Sequence, residues 1–431
     1  MKVAYFLRSL DLVFSQEKTY EIYAICLEGS EEMRIAQTEL RLTNIIPIKL
    51  KKKGINFSEL KGEDVFKNSN LSPQLKKYQI NCLFLRNSTK FLKEWSKESG
   101  IAILSPSYQL AEKFEDKLFF DSFLKKIKIP SVKSAILRSK KALLPFLQTV
   151  VQIPKSTGGE GTFFADSEKS FQKILKTLNL PLLAREYQKG MACGASLFVD
   201  QENVCLSALN RQCFLKNPNG GPLGLFIGIQ WLPSQFFTKE LYEKITRDLI
   251  RIAEKIKQEG LTGMFNLDFI LSENDQIFFL ECNPRITAAT PQIIATEELH
   301  GRTDFMRLLL NHFCQKNYPA AKPDSLPENS FQGAQMCIEL PEHTITKLIP
   351  GGFFELKKGK IKRIGLENRL DFLKLKNGLF FHNEINEGEN YKKTITAGTV
   401  FTNFPMYDMK AGFLNKNGKI VYDFFHSIKK S

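Results

Sequence analysis

Between Gly263 and Thr290 the chain reads GMFNLDFILSENDQIFFLECNPRITAAT, a stretch that leaves few ways to fold. Two runs rich in Phe, Ile and Leu, residues 264–272 and 277–283, flank the polar turn 273–276, the pattern of a β-hairpin. With Ser272 facing Ile277, Asp268 falls directly opposite Glu281. Side chains alternate along a strand. Asn266, Asp268 and Ile270 are therefore expected on one face with Phe279, Glu281 and Asn283. Phe265, Leu267, Phe269, Leu271, Phe278, Leu280 and Cys282 fall on the other, an apolar surface that has to be core.

Carboxylates opposed across a ladder have Cβ atoms ~5 Å apart. At an effective dielectric near 20 their charges repel by roughly 3 kcal/mol. A hard divalent cation removes that conflict, because magnesium takes carboxylate and amide oxygens together with phosphates. Taken singly, each of these residues suits a solvated polar face. As a set on one face backed by core, Asp268, Glu281 and Asn283 read as metal ligands, and Arg285 can grip phosphate or carboxylate bidentately.

An acid thirteen residues before the strand end Glu281-Cys282-Asn283-Pro284-Arg285 resembles the ATP-grasp superfamily of carboxylate–amine and carboxylate–thiol ligases. The resemblance implies ATP and Mg²⁺, with the acid, the Glu and the Asn holding metal against the phosphates. It also implies an ATP-grasp fold of mixed α+β and α/β content. An amino-terminal open α/β domain would precede it and a small strand-rich domain would follow, as in biotin-carboxylase-like members. The boundaries expected here are 1–108, 109–325 with a lid at about 135–205, and 326–431.

Residues 1–108 alternate strands (2–6, 20–26, 45–49, 82–85, 102–104) with helical stretches, which argues for an open parallel sheet. Residues 107–126 read as one amphipathic helix with Leu110, Phe114, Leu118, Phe119, Phe123 and Leu124 on its core face. Within it Asp116-Lys117 resembles the family's D-K pair, whose lysine reaches ATP phosphates; two solvated residues would read the same way. The strand entering Ser156-Thr157-Gly158-Gly159-Glu160-Gly161-Thr162 suits a loop whose backbone N–H groups cradle phosphate. Gln152 stands where the family commonly has a lysine, with Lys155 further on as a substitute. Residues 182–187 resemble the hinge that reads adenine, with Glu186 and Tyr187 as the binding pair. The family's frequent G-x-E that follows is replaced by Gly190-Met191-Ala192. Further strands are expected over 195–209, ending at Arg211-Gln212. A helix over 239–259 is expected to bury Leu241, Ile245, Leu249, Ile252 and Ile256.

The chain has 431 residues and a formal charge of +15, with basic clusters at 49–54 and 357–363. Neither cluster is interleaved with aromatics, so the charge speaks for anionic small ligands rather than nucleic acid. The eight cysteines are scattered without a C-x-x-C pair, which suits buried thiols in a reduced, cytoplasmic protein. No apolar run is long enough to span a membrane, and the amino terminus lacks the pattern of a signal peptide.

The function expected is an ATP-dependent ligase joining a small carboxylate (amino acid or peptide) to an amine through an acyl-phosphate, with homodimerisation allowed. Two alternatives stay open: a non-catalytic nucleotide- or RNA-binding protein on the same fold, and a small-molecule phosphotransferase. Biotin-type carboxylation is disfavoured. The Glu and His of the family's N-P-R-x-Q-V-E-H are absent after Arg285, and no biotinyl-lysine motif E-A-M-K-M occurs.

Overall fold

A computed structural model describes all residues except 7–19, 52–61, 157–160, 216–222, 288, 300–304, 315–332, 341–344, 348, 388–394, 428 and 431. The amino-terminal segment forms a five-stranded parallel sheet. Its strands are β1 (Lys2–Phe6), β2 (Glu21–Leu27), β3 (Ile45–Ile48), β4 (Cys82–Phe84) and β5 (Ala102–Leu104), in the order β3-β2-β1-β4-β5. The helix Lys90–Ser99 starts at Thr89, whose hydroxyl accepts from the Leu92 N–H, and stops at Gly100 with φ +73°. A left-handed residue there ends a helix at little cost only if it is glycine.

The expected 107–126 helix is two helices, Tyr108–Glu115 and Lys117–Lys126. Asp116 leaves helical geometry (ψ 112°) and its carboxylate caps the second helix through the Leu118 and Phe119 N–H groups. The break rotates the buried face. Phe114, Phe120, Phe123 and Leu124 form the core, whereas Leu118 and Phe119 are half-buried.

A four-stranded antiparallel sheet follows: β6 (Ser134–Leu137), β7 (Thr149–Gln152), β8 (Thr162–Ala165) and β9 (Leu182–Glu186), ordered β6-β9-β7-β8. This lid sheet ends at Glu186, short of the expected 205, because β10 (Gly190–Val199) belongs to a larger sheet. With it run β11 (Val204–Leu206), β12 (Asn210–Leu215), β13 (Leu225–Trp231), β14 (Gly263–Ser272), β15 (Ile277–Asn283) and β16 (Ala334–Leu340). Arg211 and Gln212 therefore lie inside a strand rather than ending one.

The order of the large sheet starts β15-β14-β10-β12-β13-β16. It continues through Ile395–Thr402, Gly378–Asn383, Gly352–Lys357 and Lys360–Arg363. The strand-rich carboxy-terminal segment thus extends the sheet that carries the hairpin, and adds the helix Lys416–His426.

The helix Lys239–Gln258, capped by the Thr238 hydroxyl, packs Ile245, Leu249, Ile252 and Ile256 against one side of that sheet. Phe265, Leu267, Phe269 and Leu271 meet it from β14. Burying each such side chain contributes about 1.5–3 kcal/mol, so this face anchors the hairpin. Six of the eight cysteines are buried. Among the described residues no helix is long and apolar enough to cross a membrane.

Candidate active site

The hairpin places Asp268 opposite Glu281 as expected, through a register that alternation alone does not give. Leu271 pairs with Ile277 and Phe269 with Phe279, and a β-bulge at Leu280 then brings Asp268 to Glu281 and Asn266 to Asn283. The extra residue moves Phe279 and Ile277 into the core, where Phe279 meets Phe269. Phe278 and Leu280, expected in the core, are half-buried. A bulge lets one strand carry core residues on one side and re-aim the next side chain. Here it separates Glu281 from the phenylalanine that strict alternation would have put beside it.

Two amides hold Asp268. Asn266 Nδ2 donates to Oδ1 at 2.6 Å and Asn283 Nδ2 donates to Oδ2 at 2.9 Å. Burial, and then the neighbouring Glu281, push the Asp268 carboxyl well above the usual carboxylate range. Burial would raise Glu281 too, but the Lys117 ammonium, a hydrogen bond with Asp268 and the Arg185 charge together hold Glu281 below its ordinary value. Lys117 Nζ sits 3.1 Å from Glu281 Oε2 and donates to the Ser156 carbonyl at 2.9 Å. Lys117 is 4 % exposed, so it is no solvated surface lysine. Asp116, its neighbour in the D-K pair, is the helix cap.

Arg285 is also buried. Its Nε donates to Glu115 Oε1 and its terminal nitrogen to Asn283 Oδ1, each at 3.0 Å. Asn283 therefore turns its amide nitrogen to Asp268 and its oxygen to Arg285, and serving as an oxygen ligand requires that amide to turn. Among the described residues no three His, Cys, Asp or Glu side chains converge as a metal cluster. The donor set is two carboxylates plus amide oxygens. That set fits a hard cation completed by ligand oxygens, with Glu281 at the accessible rim and Asp268 behind it.

Gln152, proposed for phosphate, is turned inward. Its Oε1 accepts from Arg185 at 2.9 Å, and its Nε2 reaches Thr162 Oγ1 at 3.4 Å. The buried positive charge beside Gln152 is Arg185, while Lys117 supplies the one at Ser156. The Arg185 guanidinium also donates to the Leu280 carbonyl at the bulge (2.8 Å) and pairs with Asp121 (3.4 Å). Lys155 is exposed and pairs with Glu112 at 3.6 Å. Ser156 and Gly161 close the described ends of the loop. A Cβ on Gly161 would collide with the Ser156 side chain, which favours glycine there. Thr157, Gly158 and Gly159 lie outside the described residues. At the hinge the Tyr187 N–H donates to the Gln148 carbonyl at 2.8 Å, so that group is already engaged. Glu186 faces Lys133 at 3.6 Å.

Sequence reasoning missed Glu115, Asp121, Arg185 and Gly194. A charged residue inside an apolar run (FFDSFL, LLARE) was the available signal for Asp121 and Arg185. Gly194 pairs with Asp268 on one side and Asn210 on the other. A Cβ there would sit 3.0 Å from Asp268 Oδ1, 3.2 Å from Asn210 Oδ1 and 3.4 Å from Asn266 Nδ2. Gly194→Ala is expected to displace the doubly held Asp268 and weaken magnesium-dependent ADP binding about tenfold. The fold should lose about 1–3 kcal/mol. Calorimetric ADP titration with and without magnesium, beside a melting curve, checks both.

Residues 114–289 match the sequence profile of the ATP-grasp domain. Curated relatives include the arginine-specific large chain of carbamoyl phosphate synthase from Geobacillus stearothermophilus. It is 25% identical over 207 residues, 46% of this chain and 19% of the relative. The chain thus spans about a fifth of the length of the curated relatives it matches. Among solved structures, the biotin carboxylase domain of Hydrogenobacter thermophilus 2-oxoglutarate carboxylase superposes with a TM-score of 0.61. It shares 14% identity, covering 94% of this chain and 86% of that one. Carboxyaminoimidazole ribonucleotide synthase of Aspergillus clavatus gives 0.57 at 14% identity, covering 99% of both chains. Lys117, Arg185, Asp268, Glu281, Asn283 and Arg285 all fall inside the matched segment, and residues 114–289 are an ATP-grasp domain.

Proposed function

We propose that the chain is an ATP-dependent ligase that joins a small carboxylate, an amino acid or peptide, to an amine. The observation that carries this reading is the convergence of Lys117, Asp268, Glu281, Asn283 and Arg285 from three separated segments, beside a glycine-rich hairpin. The γ-phosphoryl of ATP passes to a carboxylate oxygen, breaking the bond to the β-phosphate oxygen and releasing ADP. The amine nitrogen then attacks the acyl carbon, the bond to phosphate breaks, and a proton leaves the nitrogen. Magnesium, held by Asp268, Glu281 and Asn283, would neutralise phosphate charge.

The chain's own groups do the rest. Lys117 ties Glu281 to the Ser156 carbonyl, so the loop and the acid face keep one spacing. Arg285 presents a guanidinium at the strand end, where charge develops on the transferring group and on the later oxyanion. Glu115 and Asn283 fix its orientation. After Arg285 come Ile286, Thr287, Ala288, Ala289 and Thr290, with no Glu–His pair for bicarbonate. Amide formation is therefore the preferred reading among the reactions of its relatives.

The test is coupled ADP release with magnesium and ATP over a matrix of amino acids and short peptides. Release that needs both a carboxylate and an amine, with the amide found by mass spectrometry, is the expected result. A folded sample that binds ATP yet releases no ADP with any pair would overturn it.

A further inference from the structure

The acid face continues sideways into a second polar region that the ligand set does not use. Strand pairing runs Glu281, Asp268, Gly194, Asn210 and Trp231 in one row, so Asn210 and Trp231 share the face of Asp268. One strand repeat along β13, Ile229 pairs with Gln335 of β16, which puts Gln335 on that face as well. The helix Thr290–Leu299, which begins five residues after Arg285, lies over this region. Its Ile293 and Ile294 share an apolar cluster with Trp231 and Ile229. Gln292 Nε2 donates to the Thr402 carbonyl at 2.7 Å, and Thr402 pairs with Ala334, next to Gln335. Thr296 stands one helical turn from Gln292.

Five side-chain atoms in this layer are buried with no hydrogen-bond partner among the described residues. They are Asn210 Nδ2, Trp231 Nε1, Gln335 Oε1, Gln292 Oε1 and Thr296 Oγ1. Their residues are between 1 % and 7 % exposed. Native proteins leave few such groups unpaired, and each is costly. Five together between one sheet face and one helix, alongside Asp268, mark a place where something else completes the bonding.

We infer that this layer is the subsite for an uncharged primary carboxamide of the substrate. The two N–H donors suit a carbonyl oxygen, the two glutamine oxygens suit an amide N–H, and the threonine hydroxyl serves either role. An anion would meet the lone pairs of both glutamine oxygens, and an ammonium would meet both donors. This assignment rests on the ligase reading and narrows it, since the substrate then carries an amide in addition to its reacting group.

The experiment uses the full chain with MgADP present. Alanyl-alaninamide and alanyl-alanine are titrated calorimetrically against wild type, Trp231→Phe and Gln335→Met. The amide is expected to bind wild type at least about tenfold more tightly than the acid, and each variant to lose about tenfold for the amide. Gln335→Met should melt a few degrees higher without the dipeptide, because it removes a buried group that lacks a partner at nearly constant volume, whereas Trp231→Phe also opens a cavity and is read by affinity alone. An ordinary structural role would move melting the other way. Equal affinity of wild type for amide and acid overturns the inference, as does unchanged amide affinity in both variants. The MgADP affinity, read in the same titrations, reports on the nucleotide site separately. Its loss in wild type would count against the ligase reading, whereas its retention with no amide preference would sink the subsite alone.

Discussion

Asp268→Asn is expected to lower magnesium-dependent ADP release by at least about 10²-fold while leaving the metal-free chain as stable as wild type at neutral pH, or more so. The carboxyl of Asp268 binds its proton more tightly in the folded chain than in the unfolded one, through burial and then the proximity of Glu281. A raised carboxyl pKa means that the folded state holds more protons, so stability falls as pH rises from the ordinary carboxylate range through the folded value. Asparagine does not titrate. It gives up one acceptor to Asn266 or Asn283, which costs about 1 kcal/mol, and it removes the repulsion from Glu281. Melting temperatures in EDTA between about pH 4 and 8 should therefore shift in favour of the variant as pH increases. Because magnesium has to displace the same proton, its apparent affinity for wild type should rise with pH. A variant that keeps its ADP release, or that melts far below wild type at every pH, would contradict this account of Asp268.

The largest stability effect should come from Arg185→Leu. Arg185 is 2 % exposed, and its guanidinium joins three parts of the fold. These are Gln152 in the lid, Asp121 on the helix Lys117–Lys126 and the Leu280 carbonyl at the bulge. Burial lowers its pKa, partly offset by Asp121 and Glu281, and an arginine so placed remains charged. Removing one partner from a buried ion pair typically costs 3–5 kcal/mol. Asp121 retains Lys125 at 2.9 Å and the Ser134 hydroxyl at 2.7 Å, so the low end, about 3 kcal/mol, is expected. For a unit of about 200 residues that is a fall in melting temperature of roughly 6–12 °C. Arg185→Lys should recover only part of it, because an ammonium cannot present the planar fork. Differential scanning calorimetry of both variants decides this, and a shift under 2 °C for Arg185→Leu would mean that the contacts contribute little.

The two variants separate the roles of the polar groups around the hairpin. Asp268 is costly to the free fold and, on the proposed reading, serves the ligand. Arg185 belongs to the fold and bears on the ligand only by holding lid, helix and bulge together. That division explains how Gln152 can stand where the family commonly has a lysine. The strand position is occupied by a hydrogen-bond partner, while the buried cation arrives from the adjacent strand β9, where Val150 pairs with Arg185.

The sequence by itself determined what local sterics and short-range periodicity encode. The strands of the first sheet follow from runs of apolar residues, and the caps at Thr89 and Thr238 from side-chain oxygens placed just before helical periodicity. The opposition of Asp268 and Glu281 was legible as an outcome only: the expected register set Ser272 against Ile277, whereas Leu271 pairs with Ile277 and a bulge restores the acid pair. Other features were decided by tertiary structure. Nothing in Phe278-Phe279-Leu280 marks the bulge, because either phenylalanine satisfies the apolar side, and the packing of Phe279 on Phe269 makes the choice. Lys117 reaches Glu281 from 164 positions away, and Arg185 meets Leu280 across 95. Gly194 holds Asp268 and Asn210 apart only because β10 lies between β14 and β12. Pairings of that kind come from closing long stretches of chain around a shared core. Their stabilisation is realised only once the core has formed, so they leave no local pattern for a reader of the sequence.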